Sequence, residues 1–515
     1  MRFVSDPPIS VKIRKMKQRV RWQDKLIIER GIDQTKLVLG DRTPDNPNFS
    51  FMVVGDSGAG PHGGHNPQRQ VAMQMLNHKD SSRFILHTGD VIYLVGSSEY
   101  YYKNFIKPYR EFIVGGEHPK EIDYDKMVFN KPFLPVLGNH DYYDLPFIYG
   151  LMAQTALPLR RLLQSKLDID IGWHGSHQGK AYAQAFMDYL KGFEDENDLI
   201  RHLDRHYSAK TNSGRCLYYE PGSFTRLPNR YYSFQSGGID FFALDSNTFN
   251  SPLPLAKDIA GIKERHKLEQ RRDRLEREKL SYIEESTKLN STNSEQLDDL
   301  RTKIEQLDEL RNDIDKQLAA DETTVVDTEQ LDWFANSLIE SWHNPDVRGR
   351  VVYFHHPPYV TEATKWDQAQ TIATRDRFRE ALNKVASKLG AINGDRPLVN
   401  LVLNGHAHCL EYLRTGNTGH ADAHVNWIVC GGSGFSLRRQ RSEGVELTET
   451  PGGNVSARSL LYIGRAGQGS QKRRPYSFLR IDVLDGIPAK FVIRPFVVER
   501  FQGKWRNSEI QPFVI

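Results

Sequence analysis

An α/β fold that carries its chemistry on the loops after its strands is predicted by three observations. Five short polar motifs, far apart in the chain, each stand in or directly after an apolar, β-branched run. They are Gly55-Asp56-Ser57-Gly58, Gly89-Asp90-Val91-Ile92-Tyr93, Gly138-Asn139-His140-Asp141, Val352-Tyr353-Phe354-His355-His356-Pro357 and Gly405-His406-Ala407-His408. Helical periodicity separates the first two, with Val71, Met75 and Leu76 on one face. Gly55, Gly89, Gly138 and Gly405 each precede a ligand-type residue, where a strand must turn sharply and let a reactive centre approach the backbone. Strand, ligand, helix, strand, ligand is the rhythm of an α/β fold with its site on strand-terminal loops.

The elements follow in order. Residues 1–48 read as a basic, solvated N-terminal arm, with Lys12, Arg14, Lys15, Lys17, Arg19 and Arg21 beside Trp22, and with a contact to an anionic surface as the alternative. Strands are predicted at 50–54, 83–87 and 133–137, with a helix at 67–77. Residues 144–229 break the rhythm and are expected to form a largely helical insertion over or beside the site, with a helical piece at 181–191 and a polar stretch at 194–212. Strand character resumes at 231–234 and 239–244 around the turn Gly237-Gly238.

The second interruption, 258–322, carries heptads. Leu268, Leu275, Tyr282 and Leu289 repeat every seventh position, and Leu297, Leu300, Ile304, Leu307, Ile314 and Leu318 alternate threes and fours, with Arg311 in the one gap. A turn-rich link at 290–294 makes this an antiparallel helical hairpin. It has three readings: a solvated coiled coil closed on itself, an arm over 262–318 for self-association or a protein partner, or a substrate lid. The core then continues with a helix at 328–339, a strand at 351–354, a helix at 374–389 and strands at 398–403, 427–429 and 478–483. Residues 436–475, rich in glycine and arginine, show no periodicity and are expected to form a long mobile loop. Residues 49–515 are thus expected to make one domain holding both insertions and this loop.

Composition narrows the function classes. The 515 residues hold 69 basic and 65 acidic side chains, a formal charge of +4, so no global nucleic-acid signature exists. Three cysteines, Cys216, Cys409 and Cys430, make no disulfide framework and point to a reducing, cytoplasmic location. No apolar run approaches the ~18 residues of a membrane span, and no apolar stretch follows the N-terminal charges as in a signal peptide.

The motif residues are a donor set. Asp56, Asp90, Asn139, His355, His406 and His408 offer carboxylate, amide oxygen and imidazole without thiolate, which suits iron, manganese or zinc. A carboxylate such as Asp90 can bridge two cations ~3.5–4 Å apart, the spacing at which a pair activates a hydroxide and neutralises phosphate oxygens. Taken singly, an aspartate after a strand is ordinarily an N-cap and a tyrosine ordinarily core. Six such positions in register, with Tyr93 a seventh, are not accounted for that way.

These motifs resemble the calcineurin-like metallophosphoesterase superfamily and, within it, the purple (tartrate-resistant) acid phosphatase branch. Most of the superfamily has Asp-x-His in the first motif. Here Asp56-Ser57-Gly58 lacks that histidine, and Tyr93 stands three residues after Asp90, where the purple enzymes place a tyrosinate. The resemblance covers about 50–143, 230–255 and 325–435. It implies a four-layer αββα sandwich of α+β type, and two metal ions: Fe(III) on Asp56, Tyr93 and His408, and divalent iron, manganese or zinc on Asn139, His355 and His406, with Asp90 bridging. His355 rather than His356 is selected because the family histidine is followed by one residue and proline. The resemblance makes His140 a phosphate contact or proton donor oriented by Asp141, and His356 a residue behind the ligands or facing substrate. The histidines that plant members carry beyond the fourth motif are absent from 359–367. Arg375, Arg438, Arg439, Arg441, His174 and His177 are the candidates to replace them.

The implied activity is hydrolysis of a phosphate monoester, a phosphorylated substrate attacked by metal-activated hydroxide. The alternatives are a phosphodiesterase acting on nucleotides or nucleic-acid ends, and a scaffold that works through the helical hairpin.

Overall fold

The computed structural model describes residues 4–40, 46–61, 65–145, 175–289, 293–394, 396–450, 452–467, 471–502 and 504–515. It is a mixed α/β structure built on two large sheets. In the smaller sheet, Phe49–Val54, Ile85–His87 and Phe133–Pro135 run parallel, and Pro475–Leu484 and Lys490–Phe501 extend the sheet in antiparallel fashion. The larger sheet has the parallel strands Ile239–Ala243, Gly349–Tyr353, Leu401–Asn404 and Asn426–Cys430 at its centre. No helix among the described residues is long and apolar enough to cross a membrane.

The central strands are mostly apolar because each of their faces is covered. Phe241, Ala243, Val351, Tyr353, Leu401 and Leu403 point into one core. Their neighbours Phe242, Val352, Phe354 and Val402 join a second core with Phe334 and Leu338 of helix Thr328–His343 and Phe378 and Leu382 of helix Ala369–Leu389. Alternation of side chains along a strand sends them to opposite faces, and parallel strands covered on both sides read as unbroken apolar runs. The two sheets meet through aromatic rings: Phe51 of the smaller stacks on Phe84 and meets Phe241 of the larger edge-on. Gly237 and Gly238 make the expected tight turn, both at positive φ (54° and 72°), and close Tyr232–Ser236 onto Ile239–Ala243.

Three expectations are corrected. Residues 9–39 are not a solvated arm. Helix Ile9–Arg19 buries Lys12, Met16 and Arg19, and Ile32–Leu39 enters the larger sheet between Tyr232–Ser236 and Gly214–Tyr219. Two of the basic charges are satisfied internally: Lys12 Nζ sits 2.6 Å from Asp6, and Arg19 donates to the carbonyls of His177 and Gln178. Residues 436–475 are not one long loop. Val455–Ile463 pairs antiparallel with Leu410–Thr415, and Glu446–Thr448 pairs with it in turn. The buried positions of that strand include Ser456, Ala457 and Ser459, too small and polar to give an apolar period. The segment 144–229 is not only helical. Helices Lys180–Phe186 and Glu196–His206 are present, but Ala209–Thr211 and Gly214–Tyr219 form the edge of the larger sheet.

The hairpin has the expected two helices, Ile259–Lys288 and Ser294–Ala319. Leu275, Leu307 and Ile314 form one stretch of the seam, and Ile283, Leu297, Leu300 and Ile304 form another. At the seam's gap Arg311 meets Glu276 at 2.9 Å, and the buried Lys279 meets Asp308 at 2.8 Å. The second stretch also takes in Leu94 from the loop after the Gly89 motif, so the hairpin lies on the strand-end loops.

Candidate metal centre

The loops after four parallel strands and the turn at 405–408 bring all seven ligand-type residues into one buried cluster. Tyr93 Oη lies 2.8 Å from Asp90 Oδ2, 2.9 Å from Asp56 Oδ1 and 3.2 Å from His408 Nε2. Asn139 Oδ1 lies 2.9 Å from both His355 Nε2 and His406 Nδ1, and His355 Nε2 is 3.3 Å from Asp90 Oδ2. Asp56, Asp90 and His355 offer atoms close enough to hold one ion, and so do His355, His356 and His406.

The backbone is bent to make this cluster. Asp56, Asp90 and His406 have φ of 53°, 55° and 66°, a left-handed conformation that side chains other than glycine rarely adopt and that concentrates at functional sites. The glycines beside them are required by space. A Cβ on Gly138 would come 2.1 Å from Asp90 Oδ1, and one on Gly405 2.5 Å from Asp56 Oδ2.

Ring orientations are set from behind. His355 Nδ1 faces the Thr88 carbonyl at 2.8 Å and His408 Nδ1 faces the Ser436 carbonyl at 3.0 Å, which turns each Nε2 to the cluster. His140 is held by the Leu94 carbonyl, 2.6 Å from Nδ1, which takes the orienting part expected of Asp141. Asp141 instead accepts from the backbone amides of Gly138 at 2.9 Å and Val91 at 3.1 Å, so it ties two ligand loops together. His356 is buried with both nitrogens engaged, at 2.8 Å from Ser246 Oγ and 3.2 Å from Asn250 Nδ2. It therefore stands behind His406 rather than open to a substrate.

Electrostatically the cluster is governed by burial and by its two carboxylates. Burial, with the Asp90 charge adding to it and His355 opposing, pushes the Asp56 carboxyl well above the usual range. Burial and the same two carboxylates raise the Tyr93 phenol far above 10. His355 goes up to about 9, because Asp90 and Asp56 outweigh its burial. Burial, with Lys365 and Arg438 nearby respectively, pushes His406 and His408 well down, so both stay neutral and keep a lone pair. Two carboxylates crowded on one phenol, with neutral imidazoles at their edge, are the donor set that a cation would relieve.

The hairpin covers this cluster. Glu309, Asn312, Asp313 and Lys316 of its second helix line one cavity with Asp90, Asn139, His140, Tyr143, Gln370, His406 and His408. Asp313 accepts from the amides of Ala369 at 2.8 Å and Gln370 at 2.9 Å and so caps the helix Ala369–Leu389 from another element.

Sequence reasoning does not reach Lys365, Glu309, Asp313 or Lys316. A signal exists for the last three: with Asn312 they are spaced i, i+3, i+4, i+7, a polar stripe alongside the apolar seam. Of the basic candidates, Arg438 is brought to the cluster, its amide donating to the His408 carbonyl. Arg375 lies over the Trp366 ring, Arg439 reaches the Gly467 carbonyl, Arg441 pairs with Glu443, and the His177 carbonyl holds Arg19. His174 lies outside the described residues.

No protein-family model matches the chain, and no curated protein matches it. Solved structures similar to it include the GAP50 anchor of the inner membrane complex of Plasmodium, at 11% identity and TM-score 0.36, covering 90% of this chain and 89% of that one. Purple acid phosphatase PPD1 from yellow lupin (Lupinus luteus) seeds is similar at 10% identity and TM-score 0.40, covering 91% of this chain. The chain spans 54% of the lupin enzyme's length. A dimetal phosphatase from Danio rerio is similar at 12% identity and TM-score 0.34, covering 91% of this chain and 98% of that one.

Proposed function

We propose that the chain is a dinuclear-metal phosphoester hydrolase acting on phosphate monoesters. The observation that carries this reading is the convergence of Asp56, Asp90, Tyr93, Asn139, His355, His406 and His408 on one buried cluster whose charge calls for cations. In this reading Asp56, Tyr93 and His408 hold Fe(III), Asn139, His355 and His406 hold a divalent ion, and Asp90 serves both. The helix–sheet–sheet–helix layering belongs to the same proposal. The bound pair supplies Lewis acidity and a nucleophile made from water.

The chain's own groups do the rest. His140, fixed through Nδ1, turns Nε2 toward Asp90 at 4.0 Å and lines the cavity, where a proton on Nε2 can pass to a leaving ester oxygen. Asp141 keeps the Asp90 and Asn139 loops in register. His406 faces Asn139 with Nδ1 and Lys365 with Nε2 at 3.1 Å. Were His406 to hold an ion through Nδ1, its Nε2 would carry the ring proton, and Lys365 would keep Glu309 as its partner.

The test is hydrolysis of p-nitrophenyl phosphate against bis(p-nitrophenyl) phosphate after reconstitution with iron and with zinc or manganese. Faster turnover of the monoester is expected. Preference for the diester would move the assignment to a phosphodiesterase, and no turnover of either would overturn it.

A further inference from the structure

Lys365 and Arg438 are full charges with almost no water. Lys365 is 1% exposed and Arg438 0% exposed. Lys365 Nζ lies 2.9 Å from Glu309 Oε2, and Arg438 Nη2 lies 3.2 Å from Glu309 Oε1. Arg438 also faces Glu305 at 3.6 Å, which itself accepts from Arg301 at 2.9 Å. One carboxylate therefore bridges two cations: Lys365 reaches His406 with Nζ, and Arg438 joins His408 through its backbone amide while its charge acts on the His408 ring.

Glu309, Glu305 and Arg301 belong to the second hairpin helix, whereas Lys365 and Arg438 belong to the sheet framework. With the hairpin in place, the cavity that holds Glu309, Asp90, Asn139, His140, His406 and His408 measures about 10 Å³. That is roughly the space of one water and excludes a phosphoryl group. Carboxylate and phosphate oxygens accept from the same lysine and arginine donors, and arginine matches either with paired N–H groups. The charge of Glu309 is itself held by these partners, since Lys365 and Arg438 outweigh its burial and keep it ionised.

We propose that Glu309 sits in the seat of the substrate's phosphoryl group, and that Lys365 and Arg438 are the anion subsite that takes a dianionic phosphate when the second hairpin helix moves away. The anion subsite stands on geometry alone, and its use in turnover rests on the hydrolase reading. Lys365 then supplies, from within 359–367, the phosphate contact for which that segment has no histidine.

The experiment is calorimetric titration of inorganic phosphate into the metal-reconstituted full chain. Glu309→Gln keeps the side chain's shape and removes its charge. It should tighten phosphate binding by about tenfold or more, and Lys365→Met added to it should abolish the gain. Glu309→Asp, which withdraws the carboxylate by one methylene, should give a smaller gain in the same direction and serves if the glutamine variant does not fold. Phosphate binding no tighter in either variant, or a gain that survives Lys365→Met, would overturn the proposal. The same samples are assayed with p-nitrophenyl phosphate. A gain in phosphate affinity without any hydrolysis keeps the subsite and removes the hydrolase reading. Hydrolysis by the wild-type chain with no gain does the reverse.

Discussion

The strand-end loops and the hairpin that covers them meet at one cavity but are specified in different ways. In the loops, three of the ligand-type residues are placed by their immediate neighbours: an apolar strand runs into a glycine, and the next residue takes a left-handed turn, at Asp56, Asp90 and His406. In the hairpin, the apolar seam pairs two helices and touches the loops at Leu94. What joins them to the site is a separate polar face whose partners, Lys365, Arg438 and the amides of Ala369 and Gln370, are remote in sequence. Local geometry thus builds the donor set, and long-range charge builds its cover.

The comparison is broken most severely by Asp90→Ala. Asp90 contacts Tyr93, His355 and the His140 amide, so the loss should reach both halves of the cluster. A fall in kcat/KM on the order of a thousandfold is expected, equivalent to about 4 kcal/mol of transition-state stabilisation, while hydrogen exchange in the hairpin seam stays as in the wild type. Equal losses in both regions would mean that they are not separable.

Gly138→Ala comes next, since its Cβ would overlap Asp90 Oδ1 and lie 2.2 Å from the Asp90 nitrogen. Forcing that loop apart should cost about 3 kcal/mol in denaturant unfolding. A cost near zero would show that the close approach is not required.

Acid should act on the hairpin side. Asp6 bridges Lys12 of the N-terminal helix, at 2.6 Å, and Lys316 of the hairpin, at 2.9 Å. Burial works against its charge, but the two ammoniums hold its pKa down to about 2. A carboxyl lowered in this way contributes its full stability above the ordinary carboxylate value of about 4, and loses it as pH falls through about 2. The contribution is about 2 kcal/mol, read from chemical unfolding between pH 5 and 2, and Asp6→Asn should flatten that dependence.

The smallest expected effect sharpens the picture locally. Asp313→Ala leaves the amides of Ala369 and Gln370 without their acceptor, which should cost about 1–2 kcal/mol and speed their hydrogen exchange about tenfold. Exchange at Val91 and Gly138, held by Asp141, should not change.

The same division explains what was legible in the sequence. The strands after which Asp56, Asp90, Asn139 and His355 stand could be read because they are buried and carry short apolar runs up to the ligand loops. The hairpin's helices could be read from heptads. The N-terminal helix could not, because its basic residues suggest solvent. The fold accommodates them by pairing Lys12 with Asp6 and Arg19 with two carbonyls. Strand Val455–Ile463 hid for a related reason, because serine and alanine fill its buried positions. Lys365 could not be placed from sequence because nothing local marks it. Only the folded chain brings it to His406 and Glu309.

The central claim, a two-cation centre with Tyr93 as a ligand, is tested most directly by metal analysis together with the visible spectrum of the purified chain and of Tyr93→Phe. About two metal ions per chain are predicted, with a phenolate-to-iron absorption band that disappears in the variant while the second metal is retained. A chain that binds no metal after reconstitution, and whose melting temperature is the same with and without chelator, would contradict the account.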